Sequence, residues 1–338
     1  MATAGCSSSE QGPTTVALLL SDPPGARYAV QANSAFRREL SHRCSGCKAT
    51  GAGASGDPAR QRRQAKAAVD RGAELLVVDP VDEDVARAIG AYARREGVAV
   101  IGFKSLFAGL RARYYVGFDR AALGQVQGAT LRKALRATGD RRGVAMINTN
   151  DYVVHKAAHV GLGDVKVVWE GNADDHTVPA LVRQLVRERG RDGFGGIHAA
   201  NDRVAAQVAV TLESLGIDPR TTPVTGNGAD LAAMRRLVAG DQYMTAYEPA
   251  RREATVAAKI AARLAQGDGA PPSLVDDEVI VGNRLVPVAV MRPLAVTVDT
   301  LERTVIADRY WRVSEICSAR YAATCRRAGL HAPSASRR

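Results

Sequence analysis

The chain has 338 residues, 46% of them hydrophobic but only 5% aromatic, and a net charge of +11. At roughly 150 residues per domain this length supports two domains, with cores built from Ala, Val, Leu and Ile. No apolar run reaches the ~18–20 residues that span a bilayer, so a soluble or lipid-anchored chain is expected, and the spread of the basic residues points to solvated helix faces and away from a nucleic-acid partner.

The start, from Met1 through Cys6 to three serines, resembles the end of a bacterial lipoprotein signal, in which the cysteine after small residues carries lipid. Cys6 is therefore the expected lipid-attachment residue, with an ordinary N-terminal tail as the alternative. The first expected strand is 16–21, followed by the polar stretch that holds Ser21, Asp22, Arg27 and Tyr28. Cys44 and Cys47 follow a helical stretch and precede a second strand. A thioredoxin-like site would follow a strand and open a helix. A zinc site needs about four ligands, and only His42 is near. A local disulfide is favoured over free thiols. Gly51 to Gly56 reads GAGASG, a literal GxGxxG. Dinucleotide binding wants that motif after the first strand of its unit and an acid about 20 residues on. Asp79 comes later than that, so a flexible loop of small residues is expected. Helix 58–71 has Asp57 as its cap and Pro58 in its first turn. Strand 75–80, helix 81–96, strand 98–103 and strand 114–118 follow, with Gly97 as a helix terminator.

The second half repeats the pattern. Helix 121–137 leads to strands 144–149 and 165–169, then helix 178–189, strand 196–201 and helix 203–215 before Gly216. Strand 223–226, helix 229–239, strand 243–247 and helix 249–266 come next. His155 and His159 stand four apart on a helix, a spacing able to chelate a metal. No third ligand is apparent, so a surface pair and no metal site are expected. After the turn cluster 267–272 come a strand region, 285–296, and a C-terminal helix near 313–328. That helix carries Cys317 and Cys325, a second expected pair. The tail 331–338 is expected to be disordered. An even set of bridging cysteines fits an oxidising compartment.

Apolar runs without alternation, separated by helices, read as parallel strands covered on both faces. The fold class is therefore α/β with doubly wound parallel sheets. Such sheets place ligands in the crevice beyond the carboxyl ends of their strands. Residues found there are Arg27, Tyr28, Lys104, Ser105, Asn150, Asp151, Asn201, Asn227 and Glu248, the candidate ligand-binding set. No G-x-S-x-G elbow, no H-E-x-x-H and no nucleophile, base and orienter set is found, so neither an enzyme nor a cofactor is expected.

Several segments resemble the periplasmic sugar-binding proteins of ATP-driven importers, the type I solute-binding proteins, and their xylose-binding branch in particular. The likeness covers nearly the whole chain. Residues 57–64 with 70–80 look like the family's helix-plus-strand signature, and 115–119 like a first crossover between lobes. Asn201-Asp202 looks like its Asn-Asp turn, and 226–231 and 239–249 like its late binding segments. Residues 304–317, on to Cys325, are the most specific match to the xylose-type branch. The resemblance implies two similar lobes joined by three hinge crossovers, closing over one small polar, carbohydrate-like ligand. It also implies a membrane permease as partner, a monomer, and an extracytoplasmic location. The corresponding division is a lipoprotein-like tail, 1–13, an N-terminal lobe of 14–118 plus 249–290, a C-terminal lobe of 119–248 plus 291–330, and the tail 331–338.

The chain departs from the family at several gripping positions. Lys104 and Ser105 stand where an Asp-Arg pair is typical, Gly228 where an Asp is, and Glu248 where the xylose branch has a base. An aromatic near position 173 is missing, with Trp169 close in sequence. Arg27, Tyr28 and Asn201 are kept. Losing the carboxylate and guanidinium costs a neutral pentose several hydrogen bonds of about 0.5–1.5 kcal/mol each, so xylose itself is not carried over. The altered charges point to a charged or amine-bearing ligand, or to a diverged sensor or accessory protein. A repressor-type effector domain of the same fold would need a helix-turn-helix of roughly 50–60 residues ahead of its first strand, which begins here near Thr15.

Overall fold

The computed structural model describes residues 13–174, 176–275 and 277–330. Cys6 and the tail 331–338 lie outside the described residues, as does most of the segment 1–13. In chain order the elements are β1 (Thr14–Leu20), α1 (Arg27–Arg43), β2 (Cys47–Gly53), α2 (Pro58–Asp70), β3 (Ala73–Val78), α3 (Glu83–Arg95), β4 (Ala99–Phe103) and β5 (Tyr114–Phe118). Then come α4 (Arg120–Thr138), β6 (Val144–Asn148), α5 (Tyr152–Leu162), β7 (Val167–Asn172), α6 (Val178–Arg189), β8 (Gly196–Ala199), α7 (Asp202–Ser214), α8 (Leu231–Ala239) and β9 (Thr245–Tyr247). The chain continues with α9 (Ala250–Ala265), β10 (Asp277–Val281), β11 (Arg284–Met291), β12 (Leu294–Val296), α10 (Val313–Ile316) and α11 (Ala322–Arg327). Two compact units result. The first holds the chain up to Gly117 with Ala250–Met291, and the second holds Phe118–Pro249 with Arg292 onward. The backbone therefore passes between units three times.

The first unit is a sheet in the order β10-β11-β5-β4-β3-β1-β2. β1, β2, β3, β4 and β5 pair in parallel, while β10 and β11 form an antiparallel hairpin. The apolar runs behave as a doubly covered sheet requires. Ala17, Leu19, Leu76 and Val78 pack with Ala65, Ala68, Val85 and Ile89 from α2 and α3. The alternate residues Val16, Leu18, Leu20, Leu75 and Val77 point the other way and are equally buried. α1 and α9 pack against each other in the same unit. Asp57 caps α2 by accepting from the Arg60 amide at 2.9 Å, and Gly97 follows α3 with φ +71°. The GAGASG stretch is not a loop throughout. Gly51 and Gly53 belong to β2, and a Cβ on Gly53 would stand 2.5 Å from the Asp22 carbonyl. Small residues there let the turn after β1 approach the strand.

The second unit is built on the parallel sheet β7-β6-β8. Its continuation is a line of single bridges, Ile197 with Val224 and Asn227 with Ala246. The expected strand at 223–226 is thus an extended connector rather than a full ladder. β9 pairs antiparallel with β12. Ala145, Ile147, Ile197 and Ala199 pack with Val182, Leu185, Val204 and Val208 from α6 and α7. On the other side α4 and α5 come unusually close. A Cβ on Gly124 would stand 2.1 Å from the Val154 carbonyl, and one on Gly128 2.2 Å from that of Ala158.

Two expectations need correction. The strand region 285–296 is two strands, β11 and β12, in different units, broken at Arg292 and Pro293. The C-terminal helix is broken into α10 and α11, because Ser318 is extended (ψ 168°) and the Cys317–Cys325 disulfide closes the bend. Both expected cysteine pairs are bonded; Cys44–Cys47 joins the end of α1 to the start of β2.

Candidate functional site

In the first unit, β1 pairs with β3 and β3 with β4, all in parallel. Their carboxyl ends therefore deliver Ser21, Asp79 and Lys104 to one edge. Asp79 is only 1% exposed. The buried Gln61 of α2 fixes the turn behind it, donating to the Asp79 carbonyl at 2.7 Å and accepting from the Val81 amide at 2.8 Å. The Ser21 hydroxyl donates to the Asp79 carboxylate. Lys104 has φ +61°, in the left-handed region that non-glycine residues seldom adopt. Its amine stands 2.8 Å from Asp22 Oδ2 and 3.7 Å from Asp79 Oδ2. The same amine lies 4.5 Å from the ring centre of Tyr28, within cation–π range. Tyr28, in the first turn of α1, donates to the fully buried Glu253 of α9. Burial pushes the Asp79 pKa up, against the pull of Lys104. Burial pulls the Lys104 pKa down, but Asp79 and Asp22 outweigh it and leave the pKa raised.

In the second unit, a cavity of about 110 Å³ opens at the carboxyl ends of β6 and β8. Asn148 closes β6 and His198 lies in β8; they are 2% and 1% exposed. Asn148 Oδ1 and His198 Nε2 have no hydrogen-bond partner among the described residues. Arg120, at the start of α4, pairs with Asp151 in the same wall. Asp151 caps α5 by accepting from the Val154 amide, and Asn201 caps α7 by accepting from the Arg203 and Val204 amides. The buried Gln127 of α4 donates to the carbonyls of Ala199, Ala200 and Gly226, fixing the loop beside them. Burial pulls the His198 pKa down to about 3, and His155 and His159 add to the effect, so the ring is neutral. Beneath the wall, Asp202 accepts from Gln242 at 2.8 Å, Thr245 at 3.0 Å and the Asp230 amide at 3.3 Å. Burial still pushes its pKa up to about 6. A buried polar atom without a partner costs about 1–3 kcal/mol. A lining rich in polar residues, among them two with such atoms, is suited to hydroxyl groups, which both donate and accept.

Among the residues expected from the sequence, Asp151, Asn201 and Asn227 line this cavity. Asn150 is exposed and lines a shallower groove beside it. Glu248 follows β9, half-buried, outside the cavity lining. Tyr28 and Lys104 join the first unit's cluster; Ser105 sits next to it and bonds to Asp79, and Arg27 opens α1. Asp79, Glu253, Asn148, His198 and Arg120 were not in the candidate set. Three of them had a readable signal: Asn148 and His198 are polar residues within apolar strands, and Asp79 directly follows one. Trp169 is a core residue, and its indole N–H donates to Glu188 at 2.9 Å. The expectation that His155 and His159 have no third companion does not hold. Glu170 of β7 stands 3.0 Å from each ring.

In comparison with known proteins, residues 16–269 match the family described as a periplasmic binding protein domain. The D-xylose-binding periplasmic protein of Escherichia coli K12 is 26% identical over 274 residues, 78% of this chain and 81% of that protein. A carbohydrate transporter solute-binding protein from Chloroflexus aurantiacus, solved in complex with D-glucose, has a TM-score of 0.70 at 21% identity, covering 90% of this chain and 98% of that one. A periplasmic ribose ABC transporter protein from Conexibacter woesei has a TM-score of 0.72 at 17% identity, covering 87% and 95%. These two structures share the two-lobed α/β fold.

Proposed function

The chain belongs to the periplasmic binding protein domain family, and from that premise we propose that it is an extracytoplasmic solute-binding protein that captures a small, hydroxyl-rich, sugar-like ligand for an ATP-driven importer. Members of this family are binding proteins, and the reading here is capture without turnover. The observation that carries it is the second unit's cavity of about 110 Å³, lined by Arg120, Asp151, Asn201 and Asn227 together with Asn148 and His198, two residues that each hold a buried polar atom without a partner. The relatives named for D-xylose, D-glucose and ribose support a carbohydrate-like solute. In the first unit, Lys104 is engaged by both Asp22 and Asp79. One amine against two carboxylates favours a neutral or amine-bearing polyol over a sugar acid. The permease is the partner, the protein acts as a monomer, and Cys6 is the lipid-attachment residue. No helix of the described residues is long and apolar enough to cross a membrane.

A thermal-shift screen of pentoses, hexoses, inositols, amino sugars and sugar acids tests this, together with mass spectrometry of any compound retained through purification. A neutral or amine-bearing polyol raises the Tm, sugar acids do not, and Asn148→Ala abolishes the shift. No shift from any compound, with nothing retained, sinks the reading. The substitution of Lys104 and Ser105 at the gripping position favours a second reading, a diverged sensor or accessory binding protein. Ligand uptake by vesicles carrying the permease separates the two, because a sensor binds without driving uptake.

A further inference from the structure

α5 and β7 bring together three side chains whose contacts cannot all be hydrogen bonds. His155 and His159 lie one turn apart on α5, so they share a face. Their Nε2 atoms are 3.1 Å apart. Glu170 projects from β7 and places Oε2 3.0 Å from His155 Nε2 and Oε1 3.0 Å from His159 Nε2. A ring Nε2 has one in-plane position, holding either a proton or a lone pair. If both rings donate to Glu170, two N–H groups face each other across the nitrogen pair. If one ring donates to the other, the acceptor's lone pair faces a carboxylate oxygen. With Glu170 ionised, every proton arrangement leaves one repulsive contact. A cation set against all three donors makes every contact attractive.

We propose that His155, His159 and Glu170 form a binding site for a divalent transition-metal ion of the zinc type. The donor set selects the ion. Two imidazoles and a carboxylate suit Zn²⁺ and its first-row neighbours, whereas Mg²⁺ and Ca²⁺ take oxygen ligands. The spacing fits as well. Donors held about 2.0–2.2 Å from a tetrahedral ion stand about 3.3–3.6 Å apart, so the observed 3.0 Å and 3.1 Å separations need an opening of only a few tenths of an ångström. Three protein donors leave a coordination position for water or another ligand. An independent feature points the same way. His155 also lines the second unit's cavity, where the 1%-exposed His198 presents an unpartnered Nε2. The proposed ion site therefore borders a polar cavity. The sequence shows only the histidine pair; the strand register supplies the third ligand from 11 residues further on.

The test uses the full chain in a Cys6→Ser background, treated with chelator and titrated with ZnCl₂ by calorimetry. One Zn²⁺ binds per chain, and His159→Gln or Glu170→Gln weakens binding by roughly 10–100-fold or more. The double variant shows no such event, and its far-UV circular dichroism matches the parent's. Co²⁺ substitution gives visible bands in the parent that the double variant lacks. Absence of Zn²⁺ binding by the parent, or binding undiminished in the double variant, overturns the assignment. The outcome does not depend on sugar binding.

Discussion

Asp202 opens α7 with 3% exposure and three hydrogen-bond donors, yet burial holds its pKa at about 6 against an ordinary 3.8. A carboxyl that holds its proton more tightly when folded stabilises the fold at low pH and loses that contribution as pH rises through the folded value. The contribution is complete below about 4 and gone above about 6. In urea denaturation, the wild type loses stability relative to Asp202→Asn between those values and then runs parallel to it. A difference independent of pH refutes this assignment. At the first unit's edge, Lys104→Ala leaves the buried Asp79 beside Asp22 without its cation. With Lys104 about one-third exposed, the expected loss is about 1–3 kcal/mol, measured by the same denaturation. The distribution of polar residues at strand ends was legible in the sequence for Lys104, Asp151, Asn201 and Asn227, which sit in stretches of turn chemistry. His198 escaped because its neighbours are apolar, and Asn148 because it is the last residue of an apolar strand. Only the sheet shows that their side chains end at an open edge rather than in the core.

Helices α4 and α5 meet through glycine, and that contact positions the cavity wall. Alanine in place of a mid-helix glycine ordinarily gains up to about 1 kcal/mol of helix propensity. At Gly128 the added methyl would meet the Ala158 carbonyl at 2.2 Å. Overpacking of this kind costs about 1–3 kcal/mol, so Gly128→Ala is net destabilising. Displacing α5 also moves Asp151 and His155, so ligand affinity falls along with the denaturation midpoint. A stabilised variant would refute the close contact. The main elements were readable because doubly covered parallel strands are unbroken apolar runs. β10 was not, because it lies at the sheet edge with Ile280 77% exposed and acidic residues at its start. The β11 and β12 run looked like one strand because both are Val- and Ala-rich. Their separation is a property of chain path, which periodicity does not encode.

Each unit of the whole molecule has its own core, so heat denaturation is not expected to be a single two-state event. Calorimetry should resolve or broaden into two transitions. The disulfide Cys317–Cys325 spans eight positions of the second unit. A loop that short contributes about 2–3 kcal/mol by restricting the unfolded chain, so Cys317→Ser with Cys325→Ser lowers one transition and spares the other. Equal shifts of both would mean that the units unfold together. The three passages of the backbone also set a timetable for assembly. β5 is finished at Phe118, but its sheet neighbour β11 starts only at Arg284. At about 5–20 residues per second of synthesis, that edge waits roughly 8–33 s for its partner, and α1 waits for α9 through most of it. The unit that begins first stays unfinished until Met291, long after most of the second has been made. Its open strand edge is where a newborn chain is most exposed to wrong partners and where a holding chaperone would have the most to protect.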